Sequence, residues 1–152
     1  EYFDAFASNR VDDMGLVLMG VKMMTLPDAP YLRLAGVLPD RERMTAYEAA
    51  SVTIAPVSDD LLSQSLLESL AVGTPVLASA SNEAAVDHCR RANAGLYYSN
   101  RDEFVAALTE LRSPSLRERL GENGRRYVRH HHQWDAVIGR FRRLVGRIRR
   151  AS

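Results

Sequence analysis

Apolar residues in this chain fall into five short, nearly continuous runs that are separated by longer amphipathic stretches. The runs cover residues 16–19, 31–34, 52–55, 75–78 and 95–98. Runs of this length without a polar alternation are typical of strands that are buried on both faces, as in a parallel sheet covered by helices. We therefore predict five parallel strands, each buried on both sides.

The stretches between and after these runs have the periodicity of helices. The predicted helices cover residues 41–50, 63–72, 83–93, 101–111, 114–130 and 134–150. Alternation of strands and helices predicts an α/β fold, namely a Rossmann-like doubly wound parallel sheet flanked by helices, with further helices at the C-terminal end. Residues 2–7 have the pattern of the end of an amphipathic helix, so we expect the chain to begin inside a domain.

Length and composition are those of one globular domain, since the chain has 152 residues, of which 46% are hydrophobic and 26% charged. Cys89 is the only cysteine, which excludes an internal disulfide. No apolar run approaches the roughly 20 residues that span a bilayer, and residues 1–4 lack the order of a signal peptide. We expect a soluble, cytoplasmic protein.

Charge is distributed unevenly along the chain. Residues 134–152 contain six arginines and one acid, whereas residues 1–133 contain 14 basic and 18 acidic side chains. The body of the domain lacks basic patches interleaved with aromatic residues, which argues against nucleic-acid binding. The last helix has an apolar face opposite its arginines. We interpret the arginines as a solvated face. The two alternatives are contact with anionic lipid headgroups, which would be a peripheral membrane contact of the full-length protein, and contact with a preceding domain.

The loop at residues 56–60 is the place where a ligand site is expected, because ligands of open parallel sheets bind beyond the carboxyl ends of the strands. The helix that follows begins near Ser63, and its free N–H groups and positive dipole end suit a diphosphate. Glu68 lies about 5–8 Å farther along the helix, where a carboxylate can accept both hydroxyls of a ribose. Two alternatives need no ligand: Glu68 on the solvent face of its helix, and Asp60 as part of a helix cap.

Several of these residues occur in a recognisable order. Pro56, Asp60, Ser63 and Glu68, followed by Gly-Thr-Pro-Val at residues 73–76, resemble the donor-site motif of family 4 glycosyltransferases of the GT-B architecture. Further matches follow the family order at residues 16–20, 32–37, 49–52, 94–98 and 127–135. The resemblance covers nearly the whole chain.

The resemblance implies a role for each matching position. Glu68 would bind the ribose of a nucleotide-sugar donor, and Asp60 would contact the transferred sugar as the catalytic residue. Asp60 is one methylene shorter than the glutamate of the family. The other implied donor-binding residues are those whose backbone amides would hold sugar and phosphates, Leu62, Ser63, Gln64 and Ser65, and those that would line the nucleobase pocket, Gly36, Val37 and Leu38.

For the function, the resemblance implies that residues 1–152 are the donor-binding C-terminal domain of a GT-B glycosyltransferase whose N-terminal acceptor domain and first strand lie outside this chain. The full-length protein would transfer a sugar from a nucleoside diphosphate sugar to an unidentified acceptor with retention, without a cofactor or an obligatory metal. The fragment alone is expected to be inactive. The alternatives are a non-catalytic GT-B-like scaffold module and a nucleotide-sugar epimerase of the same architecture.

The remaining histidines and the cysteine give no second site. Adjacent histidines at residues 130–132 point in different directions around a helix, which favours a solvated helix end over a metal site. His88 and Cys89 are neighbours without a supporting acid or amide, so we predict no catalytic role for them.

Overall fold

The structure is a computed structural model that describes residues 2–9, 14–21, 25–56 and 64–151. The strands are β1 (Leu16–Met19), β2 (Leu32–Gly36), β3 (Thr53–Ala55), β4 (Val76–Ser79) and β5 (Gly95–Tyr98). The helices are α1 (Tyr2–Asn9), α2 (Asp40–Ala49), α3 (Gln64–Val72), α4 (Glu83–Ala92), α5 (Arg101–Glu110), α6 (Pro114–His131) and α7 (Trp134–Ala151). All predicted strands and helices are confirmed to within two residues, except that the start predicted for α3 at residue 63 lies outside the described residues.

All strand pairs in the described residues are parallel. The strands form two hydrogen-bonded groups, which we call the two-stranded piece and the three-stranded piece. In the first piece β1 pairs with β2, with Leu16 opposite Leu32. In the second piece the order is β3-β4-β5, and Thr53, Val76 and Gly95 lie side by side across it. Among the described residues no hydrogen bond of the strand ladders joins the two pieces.

Helices cover both faces of the three-stranded piece, which confirms the doubly wound arrangement. Val76 and Ala78 face a cluster formed with α3, α4 and α6, whereas Leu77 faces a second cluster formed with α1, α5 and the start of α6. Consecutive side chains of a strand point to opposite faces, so β4 contributes to both clusters. All four residues of β4 are buried.

The two-stranded piece is more exposed than predicted. Val17 in β1 is 57% exposed and Leu34 in β2 is 43% exposed. The prediction that every strand is buried on both faces is therefore wrong for β1 and β2. In these strands Leu16 and Leu32 face inward, and Leu16 packs against the cluster of α1 and α5. Val17 lies on the opposite face, whereas Leu34 lies on the same face as Leu32 but farther along the strand, where the described residues leave it exposed.

Close backbone contacts hold the layers of the three-stranded piece together. A Cβ atom at Gly95 would overlap the carbonyl oxygen of Val76 in the neighbouring strand and would lie 2.9 Å from Sγ of Cys89. A Cβ atom at Gly121 in α6 would overlap the carbonyl oxygen of Gly73, just after α3. Cys89 itself is buried in α4, and this burial raises the pKa of its thiol to about 12. Glycine is thus required where β5 and α6 approach their neighbours.

No helix within the described part of the chain is both long and apolar enough to cross a membrane.

Candidate functional site

The site predicted from the sequence is at the carboxyl ends of β2 and β3. The backbone of β2 turns at Gly36, which has a φ of 72° and so adopts a conformation that favours glycine. Val37 is exposed and Leu38 half-buried in the connection to α2. Asp60, Leu62 and Ser63 lie outside the described residues, so their predicted roles stay predictions.

Glu68 is held by a fork of two hydrogen bonds from Arg43 in α2. Nε of Arg43 lies 2.9 Å from Oε2 of Glu68, and Nη2 of Arg43 lies 2.9 Å from Oε1. Only 18% of the Glu68 side chain and 28% of the Arg43 side chain are exposed. Glu68 is therefore not on an open solvent face of its helix.

The charge of Arg43 is reinforced by a second acid. Nη1 of Arg43 lies 3.0 Å from Oδ1 of the exposed Asp40, one turn earlier in α2. The hydrogen bond to Glu68 is the main reason why the pKa of Arg43 is raised above its usual value, and Asp40 adds to it. Arg43 is therefore a permanent cation beside Glu68.

Gln64 also donates to Glu68. Its Nε2 atom lies 3.2 Å from Oε1, across one turn of α3. An ionised carboxylate has about four acceptor positions. Arg43 and Gln64 occupy three of them, two on Oε1 and one on Oε2. Gln64 and Ser65 are exposed, so the donor from Gln64 is the one that a ligand can replace.

Buried polar contacts fix α3 against its surroundings. Oγ of Ser69 donates to the carbonyl oxygen of Thr74 at 3.0 Å and accepts from Oγ1 of Thr53 at 2.8 Å, because its single hydrogen serves the carbonyl. Oγ1 of Thr74 in turn donates to the carbonyl oxygen of Tyr47 in α2 at 2.6 Å. Because Ser69 and Tyr47 follow Glu68 and Arg43 closely in their helices, this network sets the distance between the two charged side chains.

Sequence reasoning missed Arg43. The available signal was indirect: Glu68 is flanked by leucines, so a partly covered carboxylate there needs a cationic partner. The partner lies 25 residues earlier in the chain, and only the packing of α2 on α3 selects Arg43 among the arginines. Gln64 was predicted for its backbone amide, and the structure adds a contact of its side chain.

The histidine triplet contributes to packing rather than lying wholly in solvent. His130 and His131 are exposed, as predicted, but the ring of His132 packs on His88 and Tyr127. Nδ1 of His88 lies 2.9 Å from the hydroxyl of Tyr127. Burial lowers the pKa of both His88 and His132. In the part of the chain that the structure describes, no three His, Cys, Asp or Glu side chains are grouped to hold a metal ion.

Comparison with known proteins agrees with this architecture. The family described as glycosyl transferase-like matches residues 7–143. The solved structure of sucrose-phosphate synthase from Thermosynechococcus elongatus is similar with a TM-score of 0.67 and 25% sequence identity, over 80% of this chain and 31% of that chain.

The match over most of the chain shows that this protein belongs to the glycosyl transferase-like family. Its fold is that of a GT-B glycosyltransferase domain, with parallel strands flanked by helices. The matched part is less than one third of the length of the synthase.

Proposed function

We propose that this chain is the nucleotide-sugar-binding C-terminal domain of a family 4 glycosyltransferase. The full-length protein would transfer a sugar from a nucleoside diphosphate sugar to an acceptor, with retention at the anomeric carbon. Membership of the glycosyl transferase-like family and the GT-B fold support glycosyl transfer in general. The sequence motif from Pro56 to Val76 supports the more specific assignment.

The observation that carries the proposal is the oriented carboxylate of Glu68. A ribose site needs an anion whose direction is fixed before the ligand arrives, because ordering a side chain on binding reduces affinity. The two bonds from Arg43 fix both oxygens of Glu68, and the bonds of Ser69 and Thr74 fix the helices that carry the pair.

The acceptor positions of Glu68 suggest how a ribose enters. One position on Oε2 is free of the contacts described above, and a second becomes free on Oε1 when the exposed amide of Gln64 turns away. A ribose diol has two hydroxyl donors, which matches these two positions. Arg43 then stays in place as a positioning residue, and Gln64 is exchanged for the ligand.

The remaining roles rest on the resemblance. Asp60 would contact the transferred sugar, the amides of residues 62–65 would hold the phosphates, and Gly36, Val37 and Leu38 would line the nucleobase pocket. The N-terminal end of a helix stabilises a leaving diphosphate through its N–H groups. The resemblance further implies a reaction without an obligatory metal.

The topology supports a larger protein. In the doubly wound order 3-2-1-4-5-6, β2-β1 corresponds to strands 3-2 and β3-β4-β5 to strands 4-5-6. The position of strand 1 then falls between β1 and β3. We propose that a further strand of the same protein occupies it and that an N-terminal domain binds the acceptor. Isolated residues 1–152 should accordingly transfer no sugar, and measurable transfer by them would contradict this division.

The test is calorimetric binding of UDP, GDP and ADP to the full-length protein. Glu68→Gln should weaken binding of the preferred nucleotide about ten- to hundredfold, because an amide replaces a two-acceptor anion. Arg43→Gln should weaken it about tenfold through lost orientation, and Arg43→Lys should recover part of that loss. Gln64→Ala is the matched control and should stay within about twofold of the parent.

Asp60 is tested separately by its effect on turnover. Asp60→Asn should lower kcat more than it weakens nucleotide binding, since the proposed contact is with the sugar. If kcat and nucleotide affinity fell by the same factor, Asp60 would instead contact the nucleotide.

A non-catalytic scaffold is the second candidate, and the pairing of Glu68 with Arg43 favours it in one respect, because three acceptor positions are already filled. A scaffold of this kind would bind none of the three nucleotides. Unchanged affinity in a folded Glu68→Gln variant would likewise remove Glu68 from the ligand site.

A further inference from the structure

A polar groove lies at the amino-terminal ends of β3 and β4, on the edge of the sheet opposite to the candidate donor site. It is bounded by the end of α2, the turn at residues 72–75 and the first three turns of α6. Its volume is about 330 Å³, which is within the range of small-molecule sites. No residue that lines it is placed at the donor in the function proposed above.

Arg125 in α6 lines this polar groove and is fixed there by the backbone. Its Nε and Nη2 atoms donate to the carbonyl oxygen of Val72 at 3.2 and 2.9 Å. The guanidinium lies over Gly73, where the Cβ atom of any other residue would overlap it. A guanidinium has five N–H donors, of which Val72 takes two. Arg125 is therefore an oriented cation whose other donors are unused in the described structure.

Arg117, about two turns earlier in α6, is fixed in a similar way. Its Nη1 atom donates to the carbonyl oxygens of Leu111 and Arg112, both at 2.8 Å. Its Nε and Nη2 atoms donate to no group among the described residues. The eight residues from Arg117 to Arg125 correspond to about 12 Å along the helix axis. A ligand that contacts both arginines must therefore be extended, with an anionic group towards each end.

Two carboxylates line the same polar groove without neutralising these arginines. Glu48 at the end of α2 and Glu118 in α6 form no ion pair with Arg117 or Arg125 in the described part of the chain. A carboxylate accepts hydrogen bonds from hydroxyl groups but repels a bare anion. The polar groove therefore suits a ligand that carries hydroxyl groups in addition to its anionic groups.

We propose that the polar groove is a second ligand site, which binds an extended, hydroxylated dianion of the sugar-acid class. Each acid group would accept hydrogen bonds from one guanidinium, since the planar fork of arginine matches a carboxylate. The hydroxyl groups would donate to Glu48 and Glu118. This assignment is independent of the donor site, because it uses neither Glu68 nor Arg43.

The experiment is titration calorimetry of the full-length protein with three six-carbon probes. Glucarate carries two acid groups and hydroxyls, adipate carries only the two acid groups, and sorbitol carries only hydroxyls. We expect glucarate to bind at least about tenfold more tightly than adipate or sorbitol, because only glucarate can use both the arginines and the glutamates. High salt should weaken the binding of glucarate, since exposed charges are screened.

Substitutions separate the two kinds of contact. Arg117→Gln and Arg125→Gln should each weaken glucarate binding about tenfold, whereas Arg129→Gln, at an exposed position of α6 outside the polar groove, should change it by less than about twofold. Glu48→Gln should lower the ratio of glucarate affinity to adipate affinity. The two probes have the same charge, so only the lost contact with hydroxyls changes this ratio. The melting temperature of each variant shows whether it is folded.

Four results would overturn the proposal. Absence of glucarate binding up to about 10 mM would show that the polar groove is no site of this class. Equal affinity for glucarate and adipate would show that hydroxyl groups are not recognised. Unchanged glucarate affinity in both folded arginine variants would place the ligand elsewhere. Displacement of glucarate by a saturating nucleotide would place it at the donor site.

Discussion

Leu77 in β4 and Leu34 in β2 are both leucines in the interior of a short parallel strand, yet Leu77 is fully buried and Leu34 is nearly half exposed. Both strands are mostly apolar, although β2 contains Arg33. β4 lies between β3 and β5 and has helices on both faces, whereas β2 pairs with β1 and in the described structure is covered only at its start, where Leu32 is buried and Leu34, on the same face, is not. An apolar run therefore identifies a strand without identifying what covers it.

The comparison predicts unequal costs for the same truncation in the two pieces. Leu77→Ala should lower the free energy of unfolding by about 2–5 kcal/mol, because it leaves a cavity in a closed cluster. Leu34→Ala should lower it by about 1 kcal/mol, since part of the side chain is already in water. Urea denaturation of both variants measures the difference.

The same pair of variants is informative when repeated in the full-length protein. If Leu34→Ala then costs as much as Leu77→Ala, β2 is covered by a part of the protein outside this chain. A small cost in both proteins would mean that β2 is a solvent-exposed strand.

Glycines next to a neighbouring strand give a second contrast. Gly95→Ala should destabilise the domain by about 1–3 kcal/mol, because its Cβ atom would overlap the carbonyl oxygen of Val76. A Cβ atom at Gly15 would lie 3.6 Å from the carbonyl oxygen of Tyr31, an ordinary contact. Gly15→Ala should therefore change stability by less than about 0.5 kcal/mol. Thermal unfolding of the two variants checks this contrast, and equal losses would contradict the close packing of β5.

Acid should destabilise the packing of the helices that cover the three-stranded piece. We expect this effect to be smaller than those of the leucine and glycine substitutions. The pKa values of His88 and His132 are lowered in the folded state by burial, so the unfolded state binds protons more readily. The contribution to stability is complete above the unfolded pKa of about 6.5 and is lost as the pH falls through the folded values. The melting temperature should drop by a few degrees between neutral and mildly acidic pH.

Two substitutions test whether these rings cause the pH dependence. His132→Gln should flatten the dependence of the melting temperature on pH, because it removes one of the two packed imidazoles. His130→Gln, at an exposed position of the same triplet, should leave that dependence unchanged. An unaltered slope in His132→Gln would assign the acid response to other groups.

The sequence was sufficient for the elements of the fold because they depend on local patterns. Runs such as residues 76–79 and the cap and proline at Ser113 and Pro114 act within a few residues. The exposure of Val17 and Leu34 was not predictable, since it depends on which elements lie over a strand.

The candidate site was predictable in part. Glu68 was found from its place in a motif, but its state was not, because its partner Arg43 comes from a helix that the fold brings beside it. The role of His132 depends likewise on the positions of His88 and Tyr127. Long-range pairing of single polar residues leaves no periodic signal in a sequence, and only the packing of helices specifies it.

The burial of Cys89 makes its thiol a natural probe of local opening of the domain. A thiol reacts as the thiolate, and a pKa of about 12 leaves almost none of it ionised near neutral pH. A thiol reagent can therefore label Cys89 only after α4 has moved away from β5. The labelling rate then reports the frequency of this local opening. Because Cys89 is the only cysteine of this chain, the measurement reports on one thiol and needs no engineered probe.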